Sequence, residues 1–372
     1  MQKDDQEQPT TEKLPPPMTF WPMFFKTAAL SLVFASAMLL ITGLIVGLWG
    51  YGQFNQFLRE AGLTKQEFSE TINTGLQQEP EATNHYKNIL LLGTDSTAER
   101  GEAPPLTDTM MLLAINTDHG TINTLPLPRD LWNEDYQTKI NALYAYGYER
   151  YPDRPEQFAE EVVETMTAVE IHHTVTLSLA QLEDLIDLVD GITVEVEQGF
   201  TDPLFPRSGV DISSNNQEEL YETVTFEEGE QTMSGETALK YIRSRHSEDE
   251  QGHDLARGLR QQQVISALFA KLMDYKFMIT HPEVAGELYR FYEDNFAAQL
   301  PLTELISTAK TLLPHRRNLA FESHQLTDVD DDPEEGVLDN PPRLATYQYQ
   351  WVYVIDDEER FQEVVQSKLF DR

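Results

Sequence analysis

The feature that most constrains this chain is a run of 23 uncharged, mostly apolar residues near its start, residues 28–50. At about 1.5 Å per helical residue, such a run can cross the hydrocarbon core of a bilayer, which is about 30 Å thick. Trp21 precedes the run and Trp49 and Tyr51 close it, as is typical of membrane interfaces. A cleaved signal peptide would have a shorter apolar core followed by a small-residue cleavage site. The run therefore predicts one uncleaved transmembrane helix.

The charges that flank this run indicate its orientation. Lys3, Lys13 and Lys26 precede it, and Arg59 and Lys65 follow it. This small excess of positive charge on the N-terminal side favours a cytoplasmic N-terminus in the cell membrane. We therefore expect a disordered cytoplasmic tail over residues 1–27, a single span over 28–50, a juxtamembrane stalk over 51–85 and an extracellular domain over 86–372.

The composition excludes several classes of protein. The chain has 63 acidic and 27 basic residues, a formal net charge of −36. Because phosphate backbones are bound by net-basic surfaces, nucleic acid is not an expected partner. The chain has 0 cysteines, which excludes disulfides and thiolate metal sites. It also lacks the P-loop, dinucleotide-binding, nucleophile-elbow and zinc-protease motifs.

From Tyr86 onward the pattern is that of an α/β domain. Short apolar runs at 88–93, 109–116 and 121–128 predict buried strands, whereas apolar residues with a 3.6-residue period predict helices at 155–169 and 255–275. Residues 173–197 read as strand, helix and strand, 350–356 as a strand and 357–370 as a final helix. Alternating strands and helices predict a central mixed β-sheet with helices on both faces.

Two aspartates lie at the ends of the first predicted strands. Asp95 follows the strand at 88–93, and Asp108 immediately precedes the next one. Ligands gather at such strand-end loops in α/β proteins. Two carboxylates suit a hard cation such as Mg²⁺, which typically takes one or two of them plus phosphate oxygens of a substrate. Capping of turns explains aspartates at these positions equally well, and spacing leaves both interpretations open.

Basic residues form a second set of candidates. Arg129 and Asp130 follow the third strand, and Lys139 precedes a predicted helix. The segment 240–263, KYIRSRHSEDEQGHDLARGLRQQQ, is rich in basic residues although the chain as a whole is acidic.

Within that segment the spacing places side chains on common faces. Arg243 and Arg245 are two residues apart and share a face if the chain is extended, and Arg257 and Gln261 are four apart and share a helix face. Guanidinium groups so arranged suit bidentate phosphate binding, and a salt-bridged surface is the alternative.

Seven stretches between Asn88 and Lys271, taken in order, resemble the LytR–CpsA–Psr family of cell-wall glycopolymer ligases. They are NILLLGTDS, TDTMMLLAIN, LPRD, KINALYAYG, LVDGITVEV, GEQTMSGETALKYIRSRH and DLARGLRQQQVI. The resemblance implies an extracellular domain that binds a glycopolymer linked to polyprenyl pyrophosphate. The domain would transfer the phosphoglycosyl chain to a hydroxyl of peptidoglycan and release polyprenyl phosphate. Whether the polymer is teichoic acid, capsule or another Gram-positive wall glycan stays open.

The resemblance also implies residue roles. Asp95 and Asp108 match aspartates associated with Mg²⁺, Arg129, Arg243, Arg245 and Arg257 match arginines that bind pyrophosphate, and Gln261 matches their polar partner. Lys139 joins them as a further binding candidate.

Two features depart from the family pattern, namely the residue at position 106 and the acidic stretch 247–253, which is slightly long. Leu106 stands where the family often has arginine, and Arg100 could substitute for it. We hypothesise Asp130 or Asp108 as general base for the incoming hydroxyl.

Three alternatives accompany this interpretation. The same arginines could serve a non-catalytic binder or sensor of lipid-linked wall precursors, although such a protein has less need of the aspartate pair. The helices at 179–189 and 259–272 could line a groove for the polyprenyl tail, or their apolar residues could be ordinary core. The acidic stretch 247–253 could flank the site as a lid or be a solvated loop.

Overall fold

The computed structural model describes residues 20–95, 104–207, 217–247, 254–316, 319–329, 332 and 335–370. Residues 1–19 of the predicted tail, Arg100 and most of the acidic stretch, 248–253, lie outside the described residues. The chain divides into two compact units between Asn55 and Gln56.

The described elements alternate for most of the chain. The helices are α1 (Phe20–Ala61), α2 (Lys65–Gln77), α3 (Leu143–Arg150), α4 (Glu156–Thr167), α5 (Leu179–Leu188), α6 (Gln217–Leu220), α7 (Gly235–Arg243), α8 (Asp254–Leu272), α9 (Tyr275–Thr280), α10 (Pro282–Asn295), α11 (Leu302–Leu312) and α12 (Glu358–Leu369). The strands are β1 (Tyr86–Thr94), β2 (Thr107–Asn116), β3 (Thr121–Leu127), β4 (Trp132–Asn133), β5 (Thr138–Lys139), β6 (His173–Ser178), β7 (Ile192–Val196), β8 (Phe200–Pro206), β9 (Tyr221–Phe226), β10 (Gly229–Met233) and β11 (Ala320–Ser323).

Helix α1 contains the whole of the predicted span. Its part Met38–Ala61 is long and apolar enough to cross a bilayer, with a mean hydropathy of 1.2. Leu39 and Leu40 each expose 75% of their surface. By length and composition this part of α1 is a candidate membrane span.

The centre of the second unit is a five-stranded sheet in the order β11-β3-β2-β1-β6. Strands β1, β2 and β3 pair antiparallel, as expected for strands joined by short connections. Strand β6 lies parallel to β1, and β11 lies parallel to β3. The prediction of a mixed central sheet is therefore confirmed.

Helices cover both faces of this sheet. Leu90 and Leu92 of β1 point into one core cluster, which includes residues of α4 and α12, whereas Leu91 packs against a second cluster that includes residues of α5, α7 and α8. Side chains alternate between the two faces of a strand, so each face has its own core. Polar contacts follow the same alternation, since Asn123 Nδ2 donates to Leu369 O of α12 and Gln262 Nε2 of α8 donates to Thr124 Oγ1.

The prediction of a strand at 350–356 is wrong. Only single bridges form there, from Tyr353 to Leu131 and from Val354 to Asp339. Val352 and Val354 are buried against Trp132, which explains the alternating apolar pattern. Burial on one face produced the strand-like signal, but no neighbouring strand extends the pairing into a ladder.

The segment that we expected to be a stalk contacts the folded body in its second half. Helix α2 packs against α11, where a Cβ on Gly75 would lie 2.7 Å from Ile306 Cβ. Lys310 Nζ donates to Gln78 O at 2.8 Å. Glu304 of α11 accepts from Gln78 Nε2, from the Glu81 amide at 3.2 Å and from Lys87 Nζ at 2.6 Å. Glu304 therefore fastens this segment to the start of β1.

Candidate active site

Asp108 reaches the site through a β-bulge. Gly93 pairs with Thr109 and Thr94 pairs with Thr107, so Asp108 is the extra residue of β2 between them. A bulge re-aims a side chain and is common beside active sites. Gly93 permits this close pairing, because a Cβ there would lie 2.8 Å from Thr109 Cβ.

Asp95 closes the loop between β1 and β2. Its amide donates to Leu106 O at 3.2 Å, and its Oδ1 accepts from Leu106 N at 3.1 Å. One carboxylate oxygen of Asp95 therefore accepts a hydrogen bond within the loop, as the turn-capping interpretation of the sequence expected. These contacts join the two ends of the loop at Asp95 and Leu106. Leu106 is two residues before the bulge residue Asp108, so Asp95 lies close to the bulge.

Arg129 links two carboxylates. Its Nη1 lies 2.5 Å from Asp108 Oδ1, and its Nε lies 3.3 Å from Asp130 Oδ2. Asp130 is 7% exposed, and its Oδ1 accepts from Lys139 Nζ at 2.6 Å. These four side chains form one chain of alternating charge, in which Lys139 reaches the site through Asp130.

Two cavities meet beside this chain of charges. Asp108, Thr109, Arg257 and Gln261 line both of them. The larger, of about 260 Å³, is also lined by Arg243, Arg245 and His246. The smaller, of about 60 Å³, has mostly apolar walls that include Met110, Pro126, Leu326 and Tyr353, with Arg129 and Asp130 beside them.

The arginines of the larger cavity come from α7, from the residues directly after it, and from α8. Arg257 and Gln261 lie one turn apart on α8 and share a face. The expectation that Arg243 and Arg245 lie on an extended segment is wrong, because Arg243 is the last residue of α7 and Ser244 caps the helix. Both still line the same cavity.

Arg260 has a different role from its neighbours. It is 2% exposed, and its guanidinium donates to Tyr241 O at 2.8 Å and to Ser244 O at 2.6 Å. The same group lies 4.8 Å from the centre of the Phe200 ring. Burial raises the pKa of Tyr241 to about 12, so this tyrosine stays protonated and donates to Gln263 Oε1 at 2.7 Å. These contacts hold α8 against the end of α7.

The helices expected to line a lipid groove divide between core and cavity. Leu182, Ile186, Ile265 and Leu268 are buried in the core cluster of α5, α7 and α8. Leu179, at the start of α5, lines the larger cavity. Most of the apolar pattern of these helices is therefore explained by core packing.

Two residues of the site were missed by sequence reasoning. His246 lines the larger cavity beside Arg245. Asp202 of β8 is 0% exposed and lies beneath the residues that follow α7. Asp202 accepts from the amides of Arg245 and His246 at 2.9 and 3.2 Å. A lone Asp-Pro pair predicts only a turn, and nothing local links it to a histidine 44 residues later.

The sequence profile of the LytR_cpsA_psr family matches residues 55–339. The chain belongs to this family. It is 28% identical over 275 residues to the polyisoprenyl-teichoic acid–peptidoglycan teichoic acid transferase TagU of Oceanobacillus iheyensis, covering 73% of this chain and 72% of that protein. It is 23% identical over 304 residues to the corresponding transferase TagT of Bacillus subtilis, covering 80% and 84%. The crystal structure of TagV of Bacillus subtilis aligns at a TM-score of 0.51 and 21% identity, covering 77% of this chain and 98% of that one.

These comparisons confirm the resemblance seen in the sequence. The similarity to TagV is a similarity of fold. The two relatives are named as transferases, and this chain is a transferase of the LytR_cpsA_psr type. The roles of its individual residues are taken up below as proposals.

Proposed function

We propose that this chain transfers a wall glycopolymer from a polyprenyl-pyrophosphate carrier to a hydroxyl of peptidoglycan and releases polyprenyl phosphate. The observation that carries the proposal is the larger cavity, where Arg243, Arg245 and Arg257 converge on one space beside Asp108. In a chain with a formal net charge of −36, such a concentration of guanidinium groups calls for an anionic ligand. The names of TagU and TagT favour a teichoic acid as the polymer.

The proposed transfer depends on positioning the reactants and neutralising the charge on the phosphate oxygens more than on covalent catalysis. The acceptor oxygen attacks the phosphorus next to the glycan, and the bond from that phosphorus to the bridging oxygen breaks. Polyprenyl phosphate leaves with the bridging oxygen. Negative charge spreads over the phosphate oxygens during this step, and fixed guanidinium donors stabilise it. Arg129, oriented by Asp108 and Asp130, would serve the same purpose from the sheet side.

A divalent cation fits the donor chemistry of Asp95 and Asp108. Within the described ranges no group of three or more acidic or histidine side chains gathers. Mg²⁺ usually needs only one or two carboxylates when phosphate oxygens complete its shell. When bound it would supply positive charge to the pyrophosphate, and Asp95 and Asp108 would hold it.

We propose that α1 anchors the enzyme in the cell membrane, with the N-terminal tail in the cytoplasm and residues 86–372 outside. The length and composition of Met38–Ala61 support the anchor. The excess of lysine before the span supports the orientation. Both substrates are then reachable, because the carrier lipid lies in the same membrane and peptidoglycan lies outside it.

The proposal is tested by Arg243→Ala in the full chain, assayed with a polyprenyl-pyrophosphate-linked disaccharide and peptidoglycan fragments. We expect release of polyprenyl phosphate to fall at least about a hundredfold, since a positioned donor to developing charge is worth about 10²–10³ in rate. Arg343→Ala, on an exposed arginine of a C-terminal loop, is the matched control and should keep the wild-type rate. Donor binding by the wild type without any release would overturn transfer in favour of a binding function.

The cation is tested separately with a chelator. We expect EDTA to abolish release and added Mg²⁺ to restore it, and Asp95→Asn to raise the Mg²⁺ concentration needed for half-maximal rate by about tenfold, because one charged ligand becomes neutral. The readout beside activity is Mg²⁺-dependent retention of the lipid-linked donor. Full activity in EDTA would contradict a cation role.

A further inference from the structure

The proposed transfer requires a group that accepts the proton of the incoming hydroxyl, and the structure bears on its identity. Asp108 and Asp130 were the sequence-based candidates. Asp108 lies 2.5 Å from Arg129 Nη1, and Asp130 accepts from Lys139 at 2.6 Å and lies 3.3 Å from Arg129 Nε. Both carboxylates therefore already neutralise cations, and a proton placed on either would break these contacts.

His246 is the other described titratable base on the wall of the larger cavity. Its side chain is half exposed and lines that cavity together with Asp108 and the arginines. Its backbone is fixed, because its amide donates to Asp202 Oδ2 at 3.2 Å. An imidazole at this position can reach a hydroxyl that enters the cavity from solvent.

Asp202 lies on the Nδ1 side of the His246 ring. This carboxylate is fully buried and accepts from three backbone amides, those of Leu204, Arg245 and His246. Its Oδ1 lies 3.9 Å from His246 Nδ1. A carboxylate on the Nδ1 side favours a proton on that nitrogen and leaves the Nε2 lone pair to accept another.

We propose that His246 is a catalytic residue that takes the proton of the acceptor hydroxyl. The inference rests on the proposed function. As the acceptor oxygen bonds to phosphorus, its O–H bond breaks and the proton moves to Nε2, giving an imidazolium beside Asp202. The phosphorus–bridging-oxygen bond breaks with its electron pair on the leaving polyprenyl phosphate, and solvent later removes the proton. The charged groups that surround His246 are Asp108 of β2, Asp202 of β8, Arg243 of α7, Arg245 in the segment after α7, and Arg257 of α8.

His246→Gln in the full chain tests this role. Glutamine keeps a polar side chain of similar reach but cannot accept the proton. We expect kcat to fall about a hundredfold, in the range typical of general base catalysis, while KM for the lipid-linked disaccharide changes less than about threefold. The acidic limb of the kcat–pH profile should disappear with it. His119→Gln, on an exposed turn between β2 and β3, is the control and should leave both rate and profile unchanged.

The outcomes separate this inference from the proposed function. If the wild type releases polyprenyl phosphate and His246→Gln matches its kcat, the inference fails and the function stands. A lower kcat with the acidic limb intact also overturns it, because the histidine would then act in binding or structure. No release by the wild type overturns the function and the inference together. Equal thermal unfolding of both proteins shows that a rate loss is not a loss of fold.

Discussion

Arg129→Ala is expected to lower kcat/KM for polyprenyl phosphate release about a thousandfold, which corresponds to about 4 kcal/mol of transition-state stabilisation. Two effects add. The site loses a guanidinium whose Nη1 and Nε are already held in place by Asp108 and Asp130. It also gains unscreened carboxylate charge next to an anionic substrate, which repels the phosphate oxygens.

Arg129→Lys separates these two effects. Lysine restores the positive charge but cannot contact Asp108 and Asp130 with a planar fork, so we expect recovery of about tenfold and no more. The measurement is the initial rate of release over a range of donor concentrations in the full chain. Arg154→Ala, which removes an exposed arginine 3.5 Å from Glu156, should change kcat/KM less than about twofold. An Arg129→Ala enzyme with more than about a tenth of the wild-type activity would argue against a role for Arg129 at the pyrophosphate.

Lys87→Ala is expected to reduce the free energy of unfolding by about 3–5 kcal/mol, the usual cost of removing one partner of a buried ion pair. Lys87 and Glu304 expose 1% and 3% of their side chains, and the Nζ to Oε2 distance is 2.6 Å. The substitution leaves the Glu304 charge buried with only the Gln78 side chain, the Glu81 amide and the more distant His173 around it. Urea unfolding of the full chain in detergent, followed by tryptophan fluorescence, measures the loss.

The same pair predicts a pH dependence. Burial would raise the pKa of Glu304, but hydrogen bonds from Lys87 and the Glu81 amide, together with the Lys87 charge, lower it below the ordinary 4.5. A lowered folded-state pKa means that the contribution is present above pH 4.5 and is lost as the pH falls through the folded value. We therefore expect the wild type to lose stability below that pH more steeply than Lys87→Ala does.

Glu236→Ala is the matched control for this stability measurement. Glu236 lies 2.8 Å from Lys240 and is 70% exposed, so the pair is screened by solvent. Its loss should cost less than about 1 kcal/mol. A Lys87→Ala cost no larger than that would show that Glu304 finds other compensation in the folded state.

The strongly periodic parts of the fold could be predicted from the sequence because burial repeats locally. The apolar runs of β1, β2 and β3 and the 3.6-residue period of α4 and α8 each report which face of one element is buried. The run at 350–356 shows the limit of this reasoning. Its alternation reports burial against Trp132, and pairing depends on a neighbour that local sequence does not specify.

By itself, the sequence determined the apolar span, the α/β class, the family and the residue types able to bind a pyrophosphate. Each of these depends only on local composition or on short motifs. Only the tertiary structure decided which of those residues meet. The bulge that turns Asp108 toward Arg129, the position of Lys139 behind Asp130 and the Asp202 carboxylate beneath His246 all depend on contacts between segments distant in the chain. Such contacts are set by the packing of whole elements, and no local pattern encodes them.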